Sequence, residues 1–141
     1  MSLLPESTSG QQEIPKKNGL VLIAHGSRSP LATKELIALS EKIKSNQNSY
    51  NHIEIAFLEL TPPCLHESVE KLIGKDCVSI DIYPFFLNSG RHVGKDIPAQ
   101  CAELIDRHPD CTFNLLEHFG ANPKIADVVC SHIATLQKTA R

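Results

Sequence analysis

Three side chains able to ligate a metal or move a proton stand where apolar runs end. His25 closes Leu20-Val21-Leu22-Ile23-Ala24 and is followed by Gly26-Ser27-Arg28. Glu59 closes Ile53-Glu54-Ile55-Ala56-Phe57-Leu58. His92 follows the run from Val78 to Leu87 through Asn88-Ser89-Gly90-Arg91. Each run reads as a buried parallel strand, so the three fall at or just beyond carboxyl ends of strands. Open α/β sheets bind ligands along that edge. Two imidazoles and a carboxylate there suit a divalent metal with an open coordination position, and Zn, Fe, Co and Ni all accept such ligands. A neutral imidazole also accepts a proton near pH 7.

The neighbouring residues extend this chemistry. Gly26 permits close approach of backbone or ligand. Ser27 and Ser29 offer hydroxyls and helix N-terminal amides, and Arg28 can pair a carboxylate bidentately. Ser89, Gly90, Arg91 and Lys95 make a second such loop around His92. Phe85, Phe86 and Leu87 read either as core or as an apolar wall for a flat ligand. His118, in the Glu117-His118 pair, is a further candidate at the same edge. Plainer readings stand beside these: a strand-end His25 bonded to backbone, a Glu59 that is simply exposed or caps the following helix, and a helix-capping His92. Glu59 lies between Leu58 and Leu60, where an unpaired carboxylate is costly, and this favours a partner or a metal. His52, His66, His108 and His132 read as surface or helix positions.

The elements that must position these residues alternate with a period of about 30 residues. Strands are predicted near Leu20–His25, Ile53–Leu58, Val78–Tyr83 and Thr112–Leu116. Helix one runs from about Pro30 to Ser45, with Ala32, Leu36, Leu39 and Ile43 on one face. Pro62-Pro63 opens helix two, which buries Leu65, Val69, Leu72 and Ile73 and ends at Gly74. Helix three spans Gly94 to His108, with Ile97, Cys101 and Leu104 inward. Helix four begins at Pro123 and carries Ile125, Val129, Ile133 and Leu136 on its apolar face. A βαβαβαβα pattern predicts an α/β fold: a four-stranded parallel sheet flanked by helices on both faces. Right-handed crossovers then bring the carboxyl ends of all strands to one edge.

With 141 residues, 41% of them hydrophobic and 21% charged, the chain fits one soluble domain. A net charge of -2 and the lack of a basic cluster with interleaved aromatics argue against nucleic acid. No apolar run approaches the roughly 20 residues of a membrane span. Residues 1–18, rich in Ser, Gln, Glu and Pro, read as a disordered tail without a secretory h-region, and 19–141 as the single domain. The five cysteines form no CxxC pair. Cys77, Cys101, Cys111 and Cys130 read as small core hydrophobes, which points to a reducing compartment, most simply the cytoplasm. A deep ligand cleft would need a second lobe, for which a second copy of the chain is the natural source.

Taken together, Ala24-His25-Gly26-Ser27-Arg28, Phe57-Leu58-Glu59-Leu60 with Pro63, Pro84-Phe85-Phe86-Leu87 leading through Gly90 to His92-Val93, and Asp96-Ile97-Pro98 resemble the small sirohydrochlorin chelatases. These are the short, CbiX-type members of the class II chelatases. The resemblance covers about residues 19 to 138. It implies a chelatase-like domain, half of a two-lobed fold, that pairs as a homodimer. It implies insertion of Co2+ or Fe2+, with Ni2+ as a further candidate, into sirohydrochlorin on the route to cobalamin or sirohaem, with no organic cofactor. His25 and His92 would be the metal-binding and proton-accepting histidines and Glu59 the associated acid. Ser27, Arg28, Ser89, Gly90 and Arg91 would then hold substrate carboxylates. Other readings remain open: a non-catalytic tetrapyrrole or metal carrier using the same residues, and an α/β interaction domain. A phosphohistidine enzyme is disfavoured, since that class has Arg before its histidine and this chain has Ala24.

Overall fold

In the computed structural model, which describes residues 16–139, four strands form one parallel sheet. They are β1 (Lys17–Ala24), β2 (His52–Phe57), β3 (Cys77–Pro84) and β4 (Thr112–Leu115), side by side in the order β2-β1-β3-β4. The helices are α1 (Pro30–Asn46), α2 (Leu65–Gly74), α3 (Ile97–Arg107) and α4 (Ile125–Thr139). Register runs from Gly19 opposite His52 to Ala24 opposite Phe57 on one side of β1. On the other side it runs from Asn18 opposite Ser79 to Ile23 opposite Pro84.

The apolar run of β1 is central because both of its faces are covered. Val21 and Ile23 point to one face, where Leu65, Val69 and Leu72 of α2 meet Ile97, Cys101 and Leu104 of α3. Leu22 points to the other, against Leu36 of α1 and Phe57 of β2. The inward faces expected of these three helices are the ones that pack on the sheet, with boundaries within a few residues.

Local chemistry sets the differences at the element ends. Pro62-Pro63 does not open α2 but forms a cis turn before it. Cys64 is the cap, and its N–H donates to Glu67 Oε1 at 2.8 Å. Helix three divides into a π-helical turn (His92–Asp96) and α3 proper. Lys17 and Asn18 are part of β1 rather than of a tail. The Asn18 side chain donates to Ser49 O at 2.8 Å, and its N–H donates to Asn51 Oδ1 at 2.9 Å. The rest of the predicted tail, residues 1–15, lies outside the described residues.

The larger correction concerns α4. It forms as the spacing predicts, yet among the described residues nothing buries it: Val129, Ile133 and Leu136 are each about half exposed. Cys130 on this helix is exposed and Cys111 only partly buried, so just Cys77 and Cys101 are core thiols, and burial pushes the Cys101 thiol up to about 11. An amphipathic stripe specifies an apolar face but not the surface that covers it. Among the described residues no helix is long and apolar enough to cross a membrane.

Tyr50, in the loop before β2, donates its hydroxyl to Asp81 Oδ2 of β3 at 2.6 Å, and Asn114 Nδ2 of β4 donates to Asp81 Oδ1 at 3.0 Å. Burial, then the Asp81 bond and its charge, push the Tyr50 phenol from 10.0 up to about 12. The folded chain thus holds this proton more tightly than the unfolded one. Its stabilisation is complete below pH 10 and is lost as the pH rises through about 12. Asp81→Asn is expected to return Tyr50 toward ordinary tyrosine behaviour in an ultraviolet absorbance titration. An unchanged titration would eliminate Asp81 as a cause.

Candidate active site

The strand order reverses at β1: the chain goes from β1 outward to β2, then back to β3 on the other side. Ligands bind α/β sheets in the crevice at such a switch point, beyond the carboxyl ends of the strands. His25 directly follows β1, Glu59 lies two residues past β2, and His92 begins the π-helical turn after β3. The reversal thus separates the His25–Glu59 side from the His92 side.

The β1–β2 ladder continues past the regular strands. Leu58 N–H donates to Ala24 O at 2.8 Å and Glu59 N–H to His25 O at 3.0 Å. This ladder sets the two side chains next to each other, with His25 Nε2 3.0 Å from Glu59 Oε2. His25 Nδ1 lies 3.1 Å from the Gly26 carbonyl oxygen. Across the crevice, Phe85 N–H donates to Ile23 O at 2.7 Å, which ties the segment after β3 to β1. The His92 ring comes to 4.9 Å from that of His25, tilted by 54°, and Phe86 lies 6.3 Å from His92 on a centroid basis. His92 Nδ1 is 2.9 Å from Asp96 Oδ2.

His25, Glu59, His92 and Asp96 have side chains 42, 53, 38 and 39% exposed. Ion pairs this open contribute about 0–1 kcal/mol to stability, so folding does not account for them. Glu59 does not cap the following helix; it is exposed, as its plainer reading expects, and its partner is His25. The site is not a closed metal cage: among the described residues no group of three or more His, Cys, Asp or Glu has the placement to hold an ion. Glu59 faces the nitrogen of His25 instead of joining both imidazoles around a point.

The loops bear the other predicted residues. Ser27 is partly buried, and its hydroxyl accepts from Ser29 N–H at 3.0 Å. With Arg28, Thr33, Lys34 and Thr61 it lines a hollow beside the N-terminus of α1. Ser89, Gly90 and Arg91 are exposed at the start of the π turn. His118 precedes a short 3-10 turn (Phe119–Ala121) and, among the described residues, forms no ion pair or ring contact with the histidine pair. Phe85 packs partly into the α1-side core and against Phe119 at 5.1 Å, and Phe86 faces His92, so the aromatic run serves core and crevice at once. Asp96 had no role assigned from sequence. Its signal was the spacing of four residues from His92, which places both on one side of a helical turn.

The molecule is thus an open parallel α/β domain with two imidazoles and a carboxylate at its switch point. It belongs to the CbiX family, whose model matches residues 19–136. Among curated relatives, a sirohydrochlorin cobaltochelatase of Methanocaldococcus jannaschii is 36% identical over 63% of this chain and 62% of its own length. A sirohydrochlorin ferrochelatase of Priestia megaterium is 27% identical over 86% of this chain but only 46% of its own. The chain therefore matches about half to under two thirds of the length of these relatives. Among solved structures, a cobalamin (vitamin B12) biosynthesis CbiX protein from Marinobacter aquaeolei VT8 has a TM-score of 0.76 at 28% identity, covering 86% of this chain and 98% of that one. The sirohydrochlorin chelatase SirB from Bacillus subtilis subspecies spizizenii, solved in complex with cobalt, has a TM-score of 0.77 at 26% identity, covering 84% of this chain and 50% of that one.

Gly26 is the residue on which the turn depends. Its φ is +107°, and a Cβ there would lie 1.9 Å from Glu59 O. Gly26→Ala is expected to destabilise the fold by more than about 1 kcal/mol in urea unfolding. A stability equal to that of the native chain would show that the His25–Glu59 turn tolerates another backbone path.

Proposed function

We propose that this chain is a sirohydrochlorin chelatase that inserts a divalent ion, Co2+ or Fe2+, into sirohydrochlorin in cobalamin or sirohaem synthesis. The observation that carries this reading is the pair of imidazoles 4.9 Å apart at the switch point, one of them bonded to Glu59. The activities of the relatives, a sirohydrochlorin cobaltochelatase and a sirohydrochlorin ferrochelatase, support the same reaction. The ion is a substrate here. Insertion replaces two pyrrole N–H protons with one divalent ion, so the site must accept two protons and present a partly dehydrated metal.

His25 is suited to the proton-accepting part. Its two ring nitrogens each face an acceptor, the Glu59 carboxylate and the Gly26 carbonyl. A neutral ring donates to only one of them, whereas the protonated ring donates to both, so gain of a proton completes its bonding. Glu59, half exposed, then passes the proton to solvent. His92 on the opposite side holds the incoming ion, and in this reading His25 shares it before the proton arrives by turning one ring nitrogen from its acceptor to the ion. Ser27 and Arg28 on one loop, and Ser89, Gly90 and Arg91 on the other, bind carboxylates at the macrocycle's rim, while Phe86 beside His92 supports its face.

Two further parts of the reading follow from the architecture. The functional unit is a homodimer. The chain aligns with half of SirB, and the apolar stripe of α4, which none of the described residues buries, is the kind of face a second copy covers. The compartment is the cytoplasm, which five free thiols favour.

The test is an anaerobic absorbance assay with sirohydrochlorin and Co2+, Fe2+ or Ni2+. The chain should accelerate metallation over the protein-free rate, and His25→Ala and His92→Ala should each lose about 10²–10⁴-fold. Tight binding of tetrapyrrole or metal without acceleration would replace this reading with that of a carrier. In light scattering after size exclusion the chain should run as a dimer, and the double substitution Ile133→Asp with Leu136→Asp as a monomer. A native chain that runs as a monomer would remove the dimer from the reading.

A further inference from the structure

We propose that Asp96 is a positioning residue that fixes the tautomer of His92 and so decides which ring nitrogen is offered to the ion. The inference rests on the chelatase reading for its purpose, but its physical content stands in the free protein. A carboxylate accepts hydrogen bonds and does not donate them. His92 Nδ1, 2.9 Å from Asp96 Oδ2, must therefore carry the hydrogen. In the neutral ring the lone pair then sits on Nε2, the nitrogen distal to the backbone. Without a partner at Nδ1 an imidazole is free to place its hydrogen at Nε2, which would block the distal nitrogen and turn the lone pair back toward the chain.

Three observations separate this from a structural role. Asp96 stands at the cap position of α3 but makes no side-chain capping bond. Its carboxylate instead bonds His92. The backbone beneath it is fixed, because Ile97 is fully buried in the core and Pro98 occupies the first turn of α3. The two residues also lie in a π-helical turn, a form that is rare and concentrated at functional sites. The exposure of both side chains means that the bond contributes little to folding, so loss of Asp96 leaves the fold intact. Carboxylates that orient metal-binding histidines in this way typically change metal affinity or activity by about 10–100-fold when removed.

The experiment uses the full chain without metal or tetrapyrrole. Multiple-bond 15N–1H spectra of His92 are expected to show the Nδ1–H tautomer, and Asp96→Ala is expected to move it to Nε2–H with an unchanged melting midpoint. Co2+ titrated without tetrapyrrole should bind Asp96→Ala about 10–100-fold more weakly, and Asp96→Glu should recover part of the loss. An Nδ1–H tautomer that survives Asp96→Ala, or a tautomer shift with unchanged Co2+ affinity, would overturn the inference. Failure of the native chain to accelerate metallation would instead overturn the chelatase reading, with the tautomer result still standing.

Discussion

The placement of β1 between β2 and β3 is the constraint from which the site follows. Because β1 is hydrogen-bonded on both sides, the residues just past its end meet chain arriving from two directions. The bonds Leu58 N–H to Ala24 O and Glu59 N–H to His25 O extend the sheet on one side. The bond from Phe85 N–H to Ile23 O extends it on the other. A slip of one residue in either register would turn side chains to the opposite face of the sheet. Burial of Val21, Leu22 and Ile23 between two layers of helix opposes such a slip, so the core specifies the chemistry without touching it. Gly26 completes the arrangement, since no other residue lets the chain pass so close to the Glu59 carbonyl.

What was legible in the sequence follows the same physics. Strands buried on both faces announce themselves as continuous apolar runs, and a polar residue at the end of such a run marks an edge. His25, Glu59 and His92 are therefore readable from the sequence as neighbours at one edge. Their pairing was less so. The set of two imidazoles and a carboxylate resolves into a His25–Glu59 pair and a His92–Asp96 pair, because each acid is nearest to one ring. Run ends give the edge, but only register and the winding of the π turn decide which acid meets which histidine.

The exposed helix α4 shows the opposite limit. Its stripe of Val129, Ile133 and Leu136 has the spacing of a core-facing helix, and Cys130 beside it reads equally well as core. Periodicity records that a face avoids water. It carries no information on whether the cover is the same chain or another. A helix of 15 residues has little stability by itself in water, so a cover over this face, from its own chain or from another, would add to its stability. The sequence signal for α1, α2 and α3 was of the same kind. Those helices found their cover at hand because short connections return them to the sheet they leave.

The openness of the site is itself informative under the proposed reaction. A structural metal site encloses its ion with three or four ligands and holds it. A site that transfers an ion must do the reverse: bind it with few ligands, leave coordination positions for incoming nitrogens, and let go. Two half-exposed imidazoles, each braced by an acid rather than both acids joining the ligand set, meet that requirement. Were Glu59 drawn into a cage with both histidines, the ion would gain a negative ligand and lose a reason to leave. Held on His25, the carboxylate would under the proposed reaction accept a hydrogen bond from that ring without adding a negative ligand to the ion.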